Sequence, residues 1–359
     1  MKKTVVVGLS GGVDSAVSAY LLKEQGYDVV GIFMKNWDDK NDENCPAEKD
    51  FEDVQRIAQQ LDIPYYTVNL SKEYWVEIFE DFINDHKKGL TPNPDVLCNQ
   101  FIKFQHFFKK ATEDFGADYV ATGHYCRVKK DHSFPLMKGL DPNKDQSYFL
   151  HSISPEVLPR VLFPLGEIDK TEVRSIAQKI KLIVADKKDS TGICFIGERK
   201  FTEFLSQYVH KYQGDIEDEK GQVVGRHKGL AFYTIGQRKG LELGGPGEPW
   251  FVSFKDIERN VLKVIRGHDH PALMKTELIA EQFRLLSAGS YSLEDLSKLR
   301  ITAKIRYRQT DQECQISSWN QKTNEISVRF ANEQRAVTPG QYIVFYHEQH
   351  CLGGARIIK

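Results

Sequence analysis

Thr4-Val5-Val6-Val7-Gly8-Leu9-Ser10-Gly11-Gly12-Val13-Asp14-Ser15 is the stretch that decides the fold. Thr4–Gly8 is a short β-branched run, the composition of a buried strand. Asp14–Gln25 reads as a helix, with Gly26 as its stop. Between them, glycines let consecutive backbone N–H groups converge on an anion. The helix start adds the positive end of its dipole. The hydroxyls of Ser10 and Ser15 offer further donors. The turn is a phosphate cradle by construction. No lysine follows the glycines, so it is not a Walker loop, and Gly8, Gly11 and Gly12 do not give G-x-G-x-x-G. The plain alternative is a strand-to-helix turn that only needs small residues, and the full string Ser10–Ser15 argues against it.

Outward from this turn, strand and helix patterns alternate over the first ~200 residues. Val29–Met34 is a second buried strand. Trp37–Pro46 is an acidic, polar loop. Phe51, Val54, Ile57, Ala58 and Leu61 have helical spacing, Tyr65–Leu70 is a third strand, and Glu73–Lys87 is a helix rich in aromatics. Asp118–Ala121 runs as a strand into Thr122-Gly123-His124. Strands separated by helices pair in parallel through crossovers, which predicts a doubly wound, Rossmann-like α/β domain over residues 1–200. Between Gly214 and Gly247 lie nine glycines in 34 residues, which marks a small, turn-rich, mainly β central domain over 201–272. Beyond it, Arg300–Arg308, Cys314–Trp319, Glu325–Phe330 and Tyr342–Tyr346 are short strands that predict a small β-barrel or sandwich over 273–359.

The composition bounds the function class. A chain of 359 residues holds two or three domains at about 150 residues each. The formal charge of −1, with 28% charged residues, excludes a histone-like polycation and an acidic disordered tail. No apolar run approaches the ~18 residues of a membrane span, and the apolar run after Lys2 and Lys3 is too short for a signal peptide. Six cysteines, at 45, 98, 126, 194, 314 and 351, include no Cys-x-x-Cys. That argues against a disulfide framework, a structural zinc site or a cysteine-ligated cluster. The expectation is a reduced, cytoplasmic protein without a membrane partner. Histidines 124, 227, 268 and 270 show no metal-ligand spacing, and no metal site is expected from side chains alone.

Two cysteines stand in distinctive strings: Thr91-Pro92-Asn93-Pro94-Asp95-Val96-Leu97-Cys98-Asn99 and Asp189-Ser190-Thr191-Gly192-Ile193-Cys194-Phe195-Ile196-Gly197. The first is a proline-stiffened loop that ends in a helix start. Asp95 is the candidate N-cap, which puts Cys98 in the first turn, where the helix terminus lowers a thiol's pKa. The second sets a cysteine beside a glycine turn. An inert buried thiol is the ordinary role of a lone cysteine, and Cys45, Cys126, Cys314 and Cys351 are assigned to it.

The string Ser10–Ser15 resembles the SGGxDS pyrophosphate loop of N-type ATP pyrophosphatases, which activate a carbonyl oxygen with AMP and release pyrophosphate. Phe33-Met34-Lys35-Asn36-Trp37, Ala121-Thr122-Gly123-His124-Tyr125, Lys144-Asp145-Gln146-Ser147-Tyr148-Phe149, Tyr233-Thr234-Ile235-Gly236-Gln237-Arg238 and Arg306-Tyr307-Arg308-Gln309 extend the likeness over the whole length. Together with the cysteine strings they resemble the tRNA-specific 2-thiouridylase family, and no motif position departs from its pattern. The resemblance implies a sulfurtransferase that 2-thiolates the wobble uridine of tRNAs of the Lys, Glu and Gln type, with ATP as substrate, a magnesium ion bridging its phosphates, and a persulfide donor, either a cysteine desulfurase or a relay protein. It implies that Cys194 carries the persulfide, that Cys98 is the nucleophile and forms a transient disulfide with Cys194, and that Asp95 is the acid or base. Gly8, Leu9, Ser10, Gly11, Gly12, Val13, Asp14, Ser15, Met34 and Gly123 match ATP contacts. Asn93, Pro94 and Asp95 match contacts to the target base. His124, Lys144, Asp145, Gln146, Tyr307, Arg308 and Gln341 match tRNA contacts.

The chemistry accounts for two thiols. Uracil O2 leaves poorly until adenylated, and a persulfide gives up its outer sulfur only if the inner one is released as thiolate or captured; a second thiol attacking the inner sulfur completes the transfer as a disulfide. For the tRNA itself, Arg300, Thr302, Lys304, Arg306 and Arg308 alternate with Ile301, Ala303, Ile305 and Tyr307. A strand's period of two puts four cations on one face, either a solvated edge or a phosphate-contacting stripe. A target base in an anticodon loop must flip out to reach the cysteines. Two other readings stand beside this one. A synthetase or amidotransferase of the same loop class would need an ammonia source, and no glutaminase motif is present. A tRNA-binding protein without catalysis would not need the loop, Asp95 and both cysteines.

Overall fold

A computed structural model describes residues 2–37, 46–131, 133–189, 201–210, 212–286 and 292–359. Strand β1 (Thr4–Leu9) is followed by helix α1 (Val13–Glu24), β2 (Asp28–Lys35), α2 (Pro46–Leu61) and β3 (Tyr65–Asn69). Two long helical stretches come next, α3 over 71–87 and α4 over 94–113. Both contain wide π-type turns, at Trp75–Phe79 and Cys98–Phe107. Then come β4 (Tyr119–Ala121), the hairpin β5 (Cys126–Val128) and β6 (Leu136–Lys138), β7 (Val161–Leu162) and α5 (Lys170–Lys179).

The first sheet is ordered β3-β2-β1-β4-β7, and all its pairings are parallel. Parallel sheets need both faces covered, and the alternation in β1 provides for it. Val5, Val7 and Leu9 join one core with Val17 and Leu22 of α1, Ile57 of α2 and Val173 of α5. Val6 joins the other with Phe79 of α3, Cys98 and Phe107 of α4, and Val120 of β4. From β1 the chain winds outward through β2 and β3, and β4 lies on the opposite side. The crevice between the carboxyl ends of β1 and β4 is therefore the switch point where doubly wound sheets bind ligands.

The central sheet is β10-β11-β8-β9, from β8 (Gly214–Glu217), β9 (Val223–His227), β10 (Trp250–Asp256) and β11 (Val261–Arg266). The third begins with β12 (Met274–Leu285), β13 (Ile301–Lys304) and β14 (Gln312–Asn320) and continues with β15 (Glu325–Arg335), β16 (Tyr342–His347) and β17 (His350–Ile357). These run β12-β15-β14-β13-β16-β17, and β12 pairs again with β17, so the sheet closes into a barrel around Phe283, Val328, Ile343 and Phe345. The hairpin β5–β6 extends the barrel's sheet through His350 and Met137.

The expected strand Arg300–Arg308 is shorter than its alternation predicts. β13 ends at Lys304, so the four cations do not share a face. Arg300 lies 3.6 Å from Glu313. Lys304 is buried, 3.5 Å from Asp145 and 3.8 Å from Asp311. Arg306 donates to the carbonyls of Arg335 and Ala336 at 2.8 and 2.7 Å. A pattern of two cannot register that a cation's partners arrive from other strands. No described helix is long and apolar enough to cross a membrane.

Candidate active site

The glycine turn sits at the carboxyl end of β1, in the crevice. Gly11 has φ +72°, and a Cβ there would lie 2.5 Å from the Asp50 carbonyl oxygen, so only glycine fits. Gly12 is the N-cap of α1 with no side-chain cap, which leaves the helix start open to an anion. The serine hydroxyls are turned into the loop rather than offered outward. Ser15 Oγ donates to the Gly12 carbonyl at 3.2 Å and accepts from Ser10 N–H at 3.2 Å, and Ser10 Oγ lies 3.2 Å from it. They shape the nest instead of donating to its contents.

The other residues expected at the nucleotide converge here. A Cβ on Gly8 would meet Met34 Cε at 3.1 Å, and one on Gly123 would meet the Asp14 and Ser15 backbone at 2.9 Å. Gly8 and Gly123 are thus close approaches that bring Met34 and the 122–124 strap against the loop. Cations that the loop's own sequence lacks come from elsewhere. Lys170, at the start of α5, lies 2.7 Å from Asp14 Oδ1, which also accepts from Tyr125 OH at 2.8 Å. Lys187 Nζ donates to the Gly11 carbonyl at 3.0 Å and lies 2.8 and 2.7 Å from Asp50 and Asp53.

The second part of the site is the head of α4. Its cap is not Asp95 but Asn93, whose Oδ1 accepts from Asp95 N–H at 3.3 Å, with Pro94 next. The proline fits the first helical position, and this shifts the cap two residues back. Cys98 therefore lies one turn in, at the first residue of the π-type stretch, and is buried at 3% exposure. Asn99 beside it donates from Nδ2 to the Phe149 carbonyl at 3.2 Å, and its Oδ1 is buried without a hydrogen-bond partner among the described residues. Burial raises the Asp95 carboxyl above the usual carboxylate range, with Lys103 pulling it back in part. Lys103 Nζ lies 3.4 Å from His124 Nε2, and His124 Nδ1 lies 2.7 Å from Thr122 Oγ1. Burial, then Lys103, holds His124 well below its ordinary pKa, so it is a neutral ring accepting from the ammonium.

The positions expected at tRNA divide. Arg308 is exposed. Tyr307 packs against Phe149, with ring centroids 4.4 Å apart and planes tilted by 45°. Lys144 is 2.6 Å from Asp189. The carboxylate of Asp145 is turned inward, onto Gly139 N–H and Ser147 N–H at 3.1 Å each. Gln146 Oε1 accepts from Tyr125 N–H at 3.0 Å. Gln341 Nε2 donates to the Thr91 carbonyl at 2.7 Å, which ties the barrel to the loop ahead of Cys98. The side chains of Asp145, Gln146 and Gln341 are thus committed inside the protein. Cys194 and Cys45 lie outside the described residues, and so does the Cys98–Cys194 pairing. Cys126, Cys314 and Cys351 are buried, and burial pushes their thiols up, Cys314 to about 12. Lys103, Lys170 and Lys187 carried no sequence signal of their own, because each is an ordinary residue until the fold sets it at the crevice; Tyr125 and Asp189 stand in distinctive strings but had no role assigned.

Family models cover almost the whole chain: a tRNA methyl transferase HUP domain over residues 3–198, a tRNA methyl transferase PRC-barrel domain over 202–266, and an aminomethyltransferase β-barrel domain over 275–357. Among curated proteins, the tRNA-specific 2-thiouridylase MnmA of Bacillus licheniformis is 52% identical, over 98% of this chain and 94% of its own. MnmA 1 of Geobacillus kaustophilus is 53% identical over 99% of this chain and 95% of its own. MnmA of Listeria monocytogenes serovar 1/2a is 53% identical over 98% and 94%. At that identity over full length, and with the glycine loop and the Cys98 helix meeting at one crevice, the chain belongs to the tRNA-specific 2-thiouridylase family.

Proposed function

We propose that this protein uses ATP to replace the C2 oxygen of a tRNA wobble uridine with sulfur. The observation that carries the reading is the convergence at one switch point of an anion nest, from Gly8–Ser15 with Gly123 and Met34, and a helix head bearing Asp95 and Cys98. The nest grips the pyrophosphate, where charge develops as uridine O2 attacks the α-phosphorus. Asp95, with its raised affinity for a proton, serves as acid or base at the uracil. The outer sulfur of a Cys194 persulfide attacks C2 and AMP leaves. The Cys98 thiolate then attacks the inner sulfur, breaking the S–S bond to leave the thiocarbonyl and a Cys98–Cys194 disulfide. The transferred sulfur is reduced, the two thiols are oxidised, and an external thiol resets them. A persulfide-bearing donor protein loads Cys194, and Arg308, Tyr307 and Lys144 face the tRNA.

A magnesium ion fits only as an ion held mainly by the phosphates, the way Mg²⁺ usually binds at nucleotides. Asp14 keeps one oxygen for it, the other being taken by Tyr125 and Lys170, and among the described residues no three His, Cys, Asp or Glu side chains are grouped to hold a metal. The methyl transfer in the family models' descriptions is set against thiolation in relatives at 52–53% identity, and the pair of cysteine strings fits the latter. Mass spectrometry of nucleosides from tRNA reacted with the purified protein, ATP and a persulfide source decides the matter. 2-Thiouridine at the wobble position is expected, and pyrophosphate release that depends on a small carboxylate rather than on tRNA would point to a synthetase.

A further inference from the structure

Asp189 ends the described part of the second cysteine string, and no role in the scheme above falls to it. Its carboxylate collects three cations from three places in the chain. Lys144 Nζ lies 2.6 Å from Oδ2, while Lys170 Nζ and Arg174 Nη2 lie 2.7 and 2.9 Å from Oδ1. Lys170 is shared, since the same ammonium lies 2.7 Å from Asp14 Oδ1 on the glycine loop. Its main chain is fixed as well, by the Lys170 N–H bond to Asp141 Oδ2 at 3.1 Å and by the Asp169 cap on Glu172 N–H at 2.8 Å. Burial alone would raise the Asp189 carboxyl, yet Lys144 and Lys170 hold it down to about 2, so it is an anion throughout the working range.

Three cations thus meet the carboxylates of Asp14 and Asp189, with that of Asp141 on the Lys170 main chain, at the positive end of α1. The cluster is balanced while the loop is empty, and it sets an ammonium next to a nest that offers backbone N–H groups but no lysine of its own. Lys170 has three N–H donors, two of them directed at Asp14 and Asp189. A triphosphate brings several negative charges to the same point, and its oxygens are better partners for an ammonium than a carboxylate already served by Lys144 and Arg174.

We propose that Lys170 is a further nucleotide-contacting residue and Asp189 its resident counter-ion, so that ATP entering the glycine loop takes the Lys170 ammonium from Asp189. The exchange makes Asp189 a positioning residue. It is held by Lys144, Lys170 and Arg174 when the loop is empty and by Lys144 and Arg174 alone when it is filled, and Cys194 follows five residues later in the sequence. Occupancy of the nucleotide site is thereby coupled to the entry of the sulfur-bearing string. The inference rests on the ATP reading of the loop given under Proposed function.

The test uses the full chain with a tRNA transcript, ATP and a persulfide donor. ATP KM is read from pyrophosphate release and product from nucleoside mass spectrometry. Lys170→Ala should raise ATP KM by about tenfold or more, the worth of a charge-assisted contact, and Lys170→Arg should recover most of that. Asp189→Asn keeps the shape and removes the competing charge. It should lower ATP KM by about two- to fivefold, the scale of a partly exposed ion pair, while yielding fewer thiolated nucleosides per pyrophosphate released. A purely architectural carboxylate would not tighten ATP. An Asp189→Asn protein whose ATP KM rises overturns the exchange, and so does a Lys170→Ala protein with unchanged ATP KM. If Lys170→Ala does not fold, the sign of the Asp189→Asn shift decides alone. Gly11→Val is the control for the underlying reading. Pyrophosphate release that survives it means the loop is not the ATP site, whereas its loss beside a wild-type-like Lys170→Ala sinks only the present inference.

Discussion

Cys98 belongs to the buried core with Val6, Phe79 and Ile102 rather than lying in an open loop. A thiol so placed meets a partner only inside the site, which suits a resolving role. Cys98→Ser should still accumulate one extra sulfur atom from the donor, read by intact-protein mass spectrometry, while Cys194→Ser should not, and both should lose thiolated product. Full multiple-turnover thiolation by Cys98→Ser would sink the scheme. Asp95 adds a pH signature. Its carboxyl holds its proton more tightly folded than unfolded, so its contribution to stability is greatest at low pH and is lost as pH rises through the folded pKa. Asp95→Asn should therefore flatten that part of the stability profile and raise Tm at neutral pH while abolishing product. Thermal melts from pH 4 to 8 check the sign, and a Tm that falls at pH 7 contradicts it.

At the scale of elements, the site is made of terminations. β1 ends in the glycine nest, β4 ends in the Thr122–His124 strap, and α4 begins at Pro94 under its Asn93 cap. Each termination has one residue whose chemistry cannot be exchanged. Gly11→Val adds a Cβ 2.5 Å from the Asp50 carbonyl oxygen at a positive φ, so pyrophosphate release should fall to background while tRNA binding survives. Release within a few-fold of wild type would remove the loop from the ATP site. Asn93→Ala removes the cap of α4 and should cost about 1 kcal/mol by denaturant melts, with a larger loss of thiolation because the turn it holds carries Asp95. The π-type stretch from Cys98 to Phe107 begins at the candidate nucleophile, in line with the tendency of such turns to fall at functional sites.

Across the whole molecule, the barrel does more than follow the catalytic sheet. Gln341 reaches the Thr91 carbonyl, Arg356 pairs with Asp85 of α3, and the buried Lys138, Lys304 and Asp145 form an ion cluster with the more exposed Asp311 where the hairpin β5–β6 joins β17. The loop that leads to Cys98 is therefore held by the barrel as well as by its own sheet. The broken cation stripe changes what mutation should show. Arg308→Ala should weaken tRNA binding and reduce the salt slope by about one. Arg306→Ala, which strips a guanidinium from the carbonyls of Arg335 and Ala336, should lower stability and leave the slope unchanged. Filter binding at several salt concentrations separates the two, and a slope that drops equally in both variants would restore the stripe.

The parallel sheet, the nest and the two cysteine strings were legible in the chain because each is a local matter. A β-branched run, a glycine at positive φ and a proline at a helix start act within a few residues, and the family resemblance rests on such strings. Asn93 rather than Asp95 as cap was within reach of the same reading, since proline belongs just inside a helix and a cap just before it. The inward turn of Asp145 and Gln146, the break after Lys304 and the gathering of Lys144, Lys170 and Arg174 on Asp189 were not. A charged side chain's role depends on what faces it across the fold, and these ion-pair partners stand between 15 and 159 residues away. Only the tertiary structure decides which of the chain's cations look at solvent, which at a carboxylate and which at the nest.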